Sequence, residues 1–201
     1  MQVSTSTNAY RLGLGSLLMI GLLGLGTTPG LAKDKKDKNE KETIRAVAMG
    51  TGTQMGENYN LTLHIFAYST PEDKQALIDA FQQGQNQGLA KALSKMKAVG
   101  HVSTTGTMGY DVSFIRAIDT PTGPQIRFLT NRQIRNIEAA TNSTTEYYDL
   151  TAGEINVNAT NKKKSTGFIY PAARLVIDKQ GEFQFLLNQN AWNLINILYL
   201  K

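Results

Sequence analysis

The sequence predicts a β-rich α+β domain: a strongly curved antiparallel sheet or barrel of about eight to ten strands with an inserted helical hairpin. Short runs of alternating or β-branched apolar residues recur between turn sequences along most of the chain. Helical periodicity is confined to one region, about residues 70–99. Because the strands are evenly spaced and the helices few, repeated βαβ units are disfavoured, and a two-layer β-sandwich is the alternative.

Two strands are predicted at the start of the domain, at residues 43–50 and 60–68. They are separated by a glycine-containing turn. In the second strand the apolar residues alternate with larger polar and aromatic ones, so both faces carry bulky side chains. This pattern predicts a strand that is central in the sheet or covered on its second face.

A helical hairpin is predicted next. Ser69 or Thr70 can cap a helix whose first position is Pro71. An apolar stripe continues to Gly84, where the first helix can end. A second helix is predicted from about residue 87 and stops at Gly100. We expect the pair to cover one face of the sheet or one mouth of the barrel.

The rest of the sequence is again predicted to be β-rich. Strands are predicted at residues 101–107, 110–118, 125–130, 145–150, 153–159, 166–170, 172–178 and 182–187. The turn sequence over 119–124 makes a hairpin of the second and third of these. The tail over 191–200 combines helical spacing with β-branched residues, so its form stays open. The domain therefore extends as one unit over residues 43–201.

The first 32 residues have the pattern of a secretory signal peptide. Arg11 precedes an apolar run over 12–25, and the small residues Gly30 and Ala32 stand where a signal peptidase cleaves. The run is about 14 residues long, whereas a membrane-spanning helix needs about 20. We expect cleavage near Ala32, a charged linker over 33–42, and a periplasmic or secreted protein with no membrane span after cleavage. A retained anchor is the alternative.

Composition narrows the chemistry further. The 201 residues include no cysteine, which excludes disulfides and thiolate sites. The formal net charge is +5, and its tightest cluster is Lys162–Lys164. We expect these lysines at a hairpin tip, and the alternative is a contact for an anionic surface such as phospholipid head groups or acidic polysaccharide. Scattered arginines without an aromatic-rich basic motif disfavour nucleic acid.

Sequence motifs for catalysis or metal binding are absent: there is no HExxH, EF-hand loop, Gly-x-Ser-x-Gly or phosphate loop. The two histidines, His64 and His101, are expected to be structural or at the surface. The nearest set to a carboxylate pair for glycoside hydrolysis is Glu146, Asp149 and Glu154, and polar strand ends are the favoured interpretation. The sequence thus indicates no cofactor and favours a non-enzymatic protein.

An arginine group is the main candidate for ligand binding. Arg116 and Arg127 are predicted to face each other across the hairpin with its turn at 119–124, and opposed like charges are unfavourable unless an acid or an anion intervenes. Three acids are candidates for neutralising them: Asp111, Asp119 and Glu138. An anionic ligand is the alternative, and Arg132 and His64 complete that speculative set.

Seven short motifs are spread through the domain. They are YSTPED (68–73), ALSKMKAVGH (92–101), TGTMGYD (105–111), TPTG (120–123), TNR (130–132), YDL (148–150) and NAWNLINI (190–197). From about residue 44 to the end, the chain resembles a group of uncharacterised exported bacterial proteins, typical of acidobacterial genomes. The resemblance implies a bacterial source and export, and it implies no activity and no catalytic residue.

Together these observations predict an exported envelope or secreted protein, most simply a non-enzymatic binding domain for a small apolar or anionic ligand. The interior of a curved sheet under a helical lid is the expected place for an apolar ligand. Two alternatives stay open. One is a hydrolase of extracellular or cell-wall polymer, and the other is a structural or assembly partner that uses strand edges or Lys162–Lys164.

Overall fold

The structure is a computed structural model, and it describes residues 42–132, 150–179, 181–185 and 191–201. Within these ranges lie eleven strands and one long helical element. They are β1 (Glu42–Met49), β2 (Asn58–Ile65), α1 (Pro71–Leu93), β3 (Gly100–Thr104), β4 (Tyr110–Val112), β5 (Phe114–Thr120), β6 (Gly123–Thr130), β7 (Thr151–Asn156), β8 (Thr166–Tyr170), β9 (Leu175–Ile177), β10 (Phe183–Phe185) and β11 (Trp192–Leu200). Short 3-10 turns lie at Gly52–Gln54 and Lys162–Lys164.

Nine strands form one antiparallel sheet in the order β4-β3-β2-β1-β11-β8-β7-β6-β5, and β9 pairs with β10 as a separate ribbon. The sheet curls until its two edges nearly meet. Val112 ends one edge strand and Phe114 begins the other, so only Ser113 separates them. The Thr130 hydroxyl on β6 also donates to the Asp111 carbonyl on β4 at 2.9 Å. The predicted strongly curved, barrel-like antiparallel sheet is confirmed.

Apolar side chains fill the interior of this curved sheet. Trp192 and Phe128 are the largest of them, and both are fully buried. The inner cluster consists of Ile44, Ala46, Ala48, Leu61, Leu63, Ile65, Val102, Val112, Ile115, Ile126, Phe128, Ile155, Val157, Ile169, Trp192, Leu194 and Ile197. Such packing is that of a structural core. The hypothesis of an apolar ligand inside the barrel gains no support from it.

The helical element covers an outer face of the sheet, one of its two expected positions. Phe114, Leu129 and Ala152 point outward from β5, β6 and β7 and pack against Leu77 and Leu89 of α1. The ribbon closes the side of this second cluster with Leu175 and Phe183. These outward residues alternate along each strand with residues of the inner cluster, as the two-residue period of a strand requires.

Two helical segments make up α1, and they fold back on each other. The backbone leaves helical geometry at Gly84 and at Gln85, where φ is 48°. A methyl group on Gly88 would overlap the carbonyl oxygen of Ala80. In a continuous helix, residues eight apart lie about 12 Å apart along the axis. The close approach therefore confirms the predicted hairpin and explains the glycine at position 88.

The start of α1 follows its predicted capping sequence. Thr70 is the N-cap: its hydroxyl accepts from the Asp73 N–H at 3.2 Å, and the Asp73 carboxylate accepts from the Thr70 N–H at 2.8 Å. Ser69 has a different role, since its N–H donates to the Ile115 carbonyl at 2.7 Å and its hydroxyl accepts from the Ile115 N–H. These bonds tie the helix entry to β5.

The prediction of one strand over residues 110–118 is wrong. Two strands, β4 and β5, lie there, and they occupy opposite ends of the strand order. Val112, Ser113, Phe114 and Ile115 are all buried, because the chain crosses the seam between the sheet edges at this point. The sequence pattern left the form of the tail over 191–200 open, and the structure has the strand β11 there, which extends to Leu200. The strand predicted over 145–150 lies almost wholly outside the described residues.

In the part of the chain that the structure describes, no helix is both long enough and apolar enough to cross a membrane.

Candidate functional site

Arg116 and Arg127 face each other across β5 and β6 as predicted, and each is paired with a carboxylate. Arg116 Nη1 donates to both oxygens of Glu182, at 2.9 and 2.8 Å. Arg127 Nε donates to Glu154 Oε2 at 2.9 Å. Lys74 Nζ adds a second cation to Glu182 at 2.5 Å. The expected neutralisation by acids is thus present in the structure.

The acids that neutralise the arginines differ from the expected ones. Glu154 comes from the neighbouring strand β7, and Glu182 comes from the ribbon region. Asp111 instead contacts His101, so it is not the partner of either arginine. Glu138 lies outside the described residues. Identifying Glu182 from sequence would have required knowing that the ribbon folds over the hairpin, and identifying Glu154 would have required the register of β6 and β7.

This network is a clamp between elements. Burial alone would raise the pKa of Glu182, but the hydrogen bonds from Lys74 and Arg116 outweigh it and lower that pKa below its usual value. The space enclosed beside these charges and Phe183 is about 20 Å³, which holds little more than one water. The cluster therefore joins α1, β5 and the ribbon and leaves no room for an organic anion.

The four residues of the speculative ligand-binding set do not converge. Arg116 and Arg127 lie in the clamp, whereas His64 lies on β2 with its Nδ1 3.1 Å from the Thr43 hydroxyl. Arg132 follows β6 and lies in a separate cleft. Only Arg132 of this set lines an open concavity of appreciable size.

That concavity, which we term the seam cleft, lies where the two edges of the sheet meet. Its volume is about 450 Å³. The end of α1, the β3–β4 hairpin and the residues after β6 form its walls. The lining residues are Leu93, Ser94, Met96, Ala98, His101, Gly109, Tyr110, Asp111, Ser113, Asn131 and Arg132. The seam cleft is therefore a polar site outside the filled barrel.

His101 is fixed in the wall of the seam cleft by both ring nitrogens. Its Nε2 lies 2.9 Å from the Met108 carbonyl, and its Nδ1 lies 3.3 Å from Asp111 Oδ1. Both partners are acceptors, so an N–H of the ring can donate to either one. Gly109 has φ +81°, and a methyl group there would overlap His101 Nε2. Glycine at this position therefore allows the ring to seat against the hairpin.

This arrangement does not form a nucleophile and base. Ser113, His101 and Asp111 share the cleft, but a general base needs a ring nitrogen free to accept the proton of the hydroxyl. Both nitrogens of His101 already face acceptors. Within the described residues, no group of three histidine, aspartate or glutamate side chains could hold a metal ion.

The seam cleft has one cation in its lining, Arg132, and two exposed lysines next to lining residues. Arg132 is exposed at its rim and forms no ion pair with any residue in the described ranges. Lys95 and Lys97 are exposed and alternate along the chain with the lining residues Ser94, Met96 and Ala98. The one acid in the lining, Asp111, lies 3.3 Å from His101 Nδ1, and its side chain is 74% exposed. A guanidinium beside polar donors is suited to a carboxylate or phosphate.

The acids considered for glycoside hydrolysis do not form a described pair. Glu154 is bound by Arg127 at 2.9 Å and by the Asn156 amide at 3.2 Å. Glu146 and Asp149 lie outside the described residues. A carboxylate that accepts hydrogen bonds from an arginine and an amide is poorly placed to donate a proton as a general acid.

Lys162–Lys164 lies in the connection between β7 and β8, as predicted for a hairpin tip. The turn is capped by Asn161, whose side chain accepts from the Lys163 N–H at 3.1 Å. All three lysines are exposed, and the turn lies beside β11. It is separate from the seam cleft, whose lining comes from other elements.

Comparison with protein-family models, curated proteins and solved structures finds no match. The functional argument therefore depends on the site itself. The seam cleft was not predicted, because its walls come from elements that only sheet closure brings together. Gly109 lies in the TGTMGYD motif (105–111), but a glycine by itself does not indicate a binding site.

Proposed function

We propose that the protein is an exported, non-enzymatic binding domain that holds a small anion in the seam cleft. The observation that carries the proposal is an open polar cleft of about 450 Å³ with the guanidinium of Arg132 at its rim. This volume falls within the range of about 300 to 1,000 Å³ found for small-molecule sites. The barrel interior holds the buried side chains of the inner cluster, whereas the cleft is open to a ligand.

The lining favours an anion over an apolar ligand. Arg132 can donate two parallel hydrogen bonds to a carboxylate or phosphate, and Asn131, Ser113 and Tyr110 carry further polar groups. Leu93 and Met96 supply only part of the wall. The ligand class that fits is a small organic carboxylate or phosphate ester.

Export is supported by the apolar run over 12–25 and the small residues Gly30 and Ala32. The expected site of action is the periplasm or the medium. N-terminal sequencing of the protein isolated from its source tests this part of the proposal. We expect a mature chain beginning at Lys33, and an intact Met1 would contradict it.

Isothermal titration with citrate and with inorganic phosphate tests the site. Arg132→Gln should weaken binding at least tenfold, since a hydrogen bond to a charged group contributes about 1.5–3 kcal/mol. Arg174→Gln is the matched control, because Arg174 is exposed and lies outside the cleft. Equal affinities for both variants, or binding by neither probe, would contradict the proposal.

A further inference from the structure

One outer face of the sheet carries large apolar side chains that no described element covers. We term the outward side chains of β1, β11 and β8 the bare face. Its five large apolar residues are each about two-fifths exposed: Met49 41%, Phe168 39%, Ile195 38%, Leu198 40% and Leu200 38%. The strand register places them together, since β11 lies between β1 and β8. Contiguous exposed apolar patches on soluble proteins commonly mark interaction sites.

A β-bulge creates part of this face. Asn196 adopts φ 51°, and the pairing between β1 and β11 shifts between Arg45 and Val47. Because of the extra residue, Ile195 and Leu198 both point outward although they are three positions apart. Bulges that re-aim side chains are commonly functional features of a sheet. The same spacing made this tail resemble a helix in the sequence.

The exposed charges of the bare face itself, of Lys162–Lys164 and of Lys201 are all positive. The outward positions of β1, β11 and β8 include Arg45 and no aspartate or glutamate. Lys162–Lys164 lies beside β11, and Lys201 follows its last residue. Two acids border this face, and both are largely buried and paired. Glu154 on β7 is the register partner of Phe168, is 16% exposed and is bound by Arg127. Glu42 is 18% exposed, accepts hydrogen bonds from Tyr68 and Tyr199, and lies 4.0 Å from Lys201 Nζ.

We propose that the bare face binds the surface of an anionic phospholipid bilayer. The apolar side chains would enter the boundary between head groups and acyl chains, and Lys162–Lys164 with Arg45 would contact the phosphates. Pairing of two copies through this face is disfavoured, because it would bring two sets of exposed cations together. Anionic lipid supplies both the apolar and the negatively charged partner that the face lacks.

Flotation of the full chain with lipid vesicles tests this inference. One set contains phosphatidylcholine alone, and the other contains phosphatidylcholine with phosphatidylglycerol. Replacing Lys162, Lys163 and Lys164 together by Gln should weaken binding to the anionic vesicles at least tenfold, since each basic residue at such a surface contributes about fivefold. The matched control replaces the exposed lysines Lys91, Lys95 and Lys97 by Gln and should change binding less than twofold.

A second pair of variants tests the contribution of the apolar side chains to vesicle binding. Leu198→Ser should weaken vesicle binding several-fold, whereas Val176→Ser should not, although Val176 on β9 is equally exposed at 39%. All variants keep the same N-terminal region, so the differences between them report on the bare face alone. Circular dichroism should show unchanged folding for these surface variants.

Three results would overturn the inference. The first is equal vesicle binding by the tri-lysine variant and its control. The second is a dimer in sedimentation that Leu198→Ser dissociates, which would make the face an interface between copies. The third is loss of binding to an acidic polysaccharide, but not to vesicles, when Lys162–Lys164 is replaced. Citrate binding in the seam cleft should be the same in wild type, the tri-lysine variant of Lys162–Lys164 and Leu198→Ser, whose positions lie outside the cleft. This test is therefore independent of the proposed function.

Discussion

The two outer faces of the same sheet differ in how their apolar residues are used. On β5, β6 and β7 the outward apolar side chains are buried under α1 and the β9–β10 ribbon. On β1, β11 and β8 comparable side chains remain about two-fifths exposed. The covered face has cations paired with Glu182 and Glu154. Near the bare face, Arg45 and Lys162–Lys164 form no ion pair within the described residues, and Lys201 lies 4.0 Å from Glu42. On the covered face, ion pairs thus join α1 and β5 to the ribbon region.

The largest expected effect comes from leucine truncation on the two faces. Leu89→Ala, at a fully buried position under the hairpin, should destabilise the fold by about 2–5 kcal/mol. Leu198→Ala, on the bare face, should cost less than about 1 kcal/mol, because its side chain is already partly in water. Urea unfolding measures both changes. Similar costs at the two positions would show that the bare face is structurally buried.

Alanine substitutions at Gly88 and at Gly84 test how closely the two helical segments of α1 approach each other. Gly88→Ala should cost about 1–3 kcal/mol, because its methyl group would overlap the Ala80 carbonyl and push the two segments apart. Gly84→Ala is the control, since nothing lies within 4 Å of the added carbon. Thermal unfolding of the two variants should differ clearly. Equal melting temperatures would contradict the close crossing of the segments.

Removing the negative charge of Glu182, which pairs with Lys74 and Arg116, should lower the free energy of unfolding by a smaller, pH-dependent amount. Glu182→Gln is expected to cost about 1 kcal/mol at neutral pH, since solvent partly screens this pair. The folded-state pKa of Glu182 is lowered from its ordinary value of 4.5, so its contribution is fully present above that value. The contribution is lost as the pH falls through the folded-state pKa.

Unfolding free energies at neutral pH and well below pH 4.5 measure this dependence. The gap between wild type and Glu182→Gln should narrow in acid, whereas the exposed Glu57→Gln should show no gap at either pH. A gap of constant size would mean that Glu182 acts through packing and not through its charge.

The smallest expected effect concerns Tyr199, whose hydroxyl donates a hydrogen bond to Glu42. Burial, and then the hydrogen bond to Glu42, raise the pKa of Tyr199 above its ordinary value of 10.0. Its contribution is therefore present below pH 10 and lost as the pH rises through the folded-state pKa. Tyr199→Phe should cost about 0.5–1 kcal/mol at neutral pH and less in alkali. Phenolate absorbance during an alkaline titration checks this: ionisation of every tyrosine at the ordinary value would contradict it.

Local patterns were enough to predict much of the fold. Alternation identified most strands, the capping sequence identified the start of α1 at Pro71, and the hairpin turn placed Arg116 opposite Arg127. These features depend on residues close together in the chain. The predicted edges shifted by a few residues, as they commonly do at element ends.

The features that sequence patterns missed all depend on long-range contacts. The split at Ser113 exists because the sheet closes, and the bulge at Asn196 is defined only by the pairing of β11 with β1. The pairing of Glu182 with Arg116 spans 66 positions in the chain. The seam cleft combines α1, β3, β4 and the residues after β6, so no single segment carried its pattern.

The most direct test of the proposed function is a titration of the isotope-labelled protein with citrate, followed by amide chemical shifts in NMR spectra. Binding in the seam cleft predicts that the largest shifts occur at His101, Tyr110, Asn131 and Arg132. The amides of the inner cluster should stay unchanged, since that core is filled. The largest shifts at Arg116 and Arg127, or among the inner residues, would contradict a ligand site in the seam cleft.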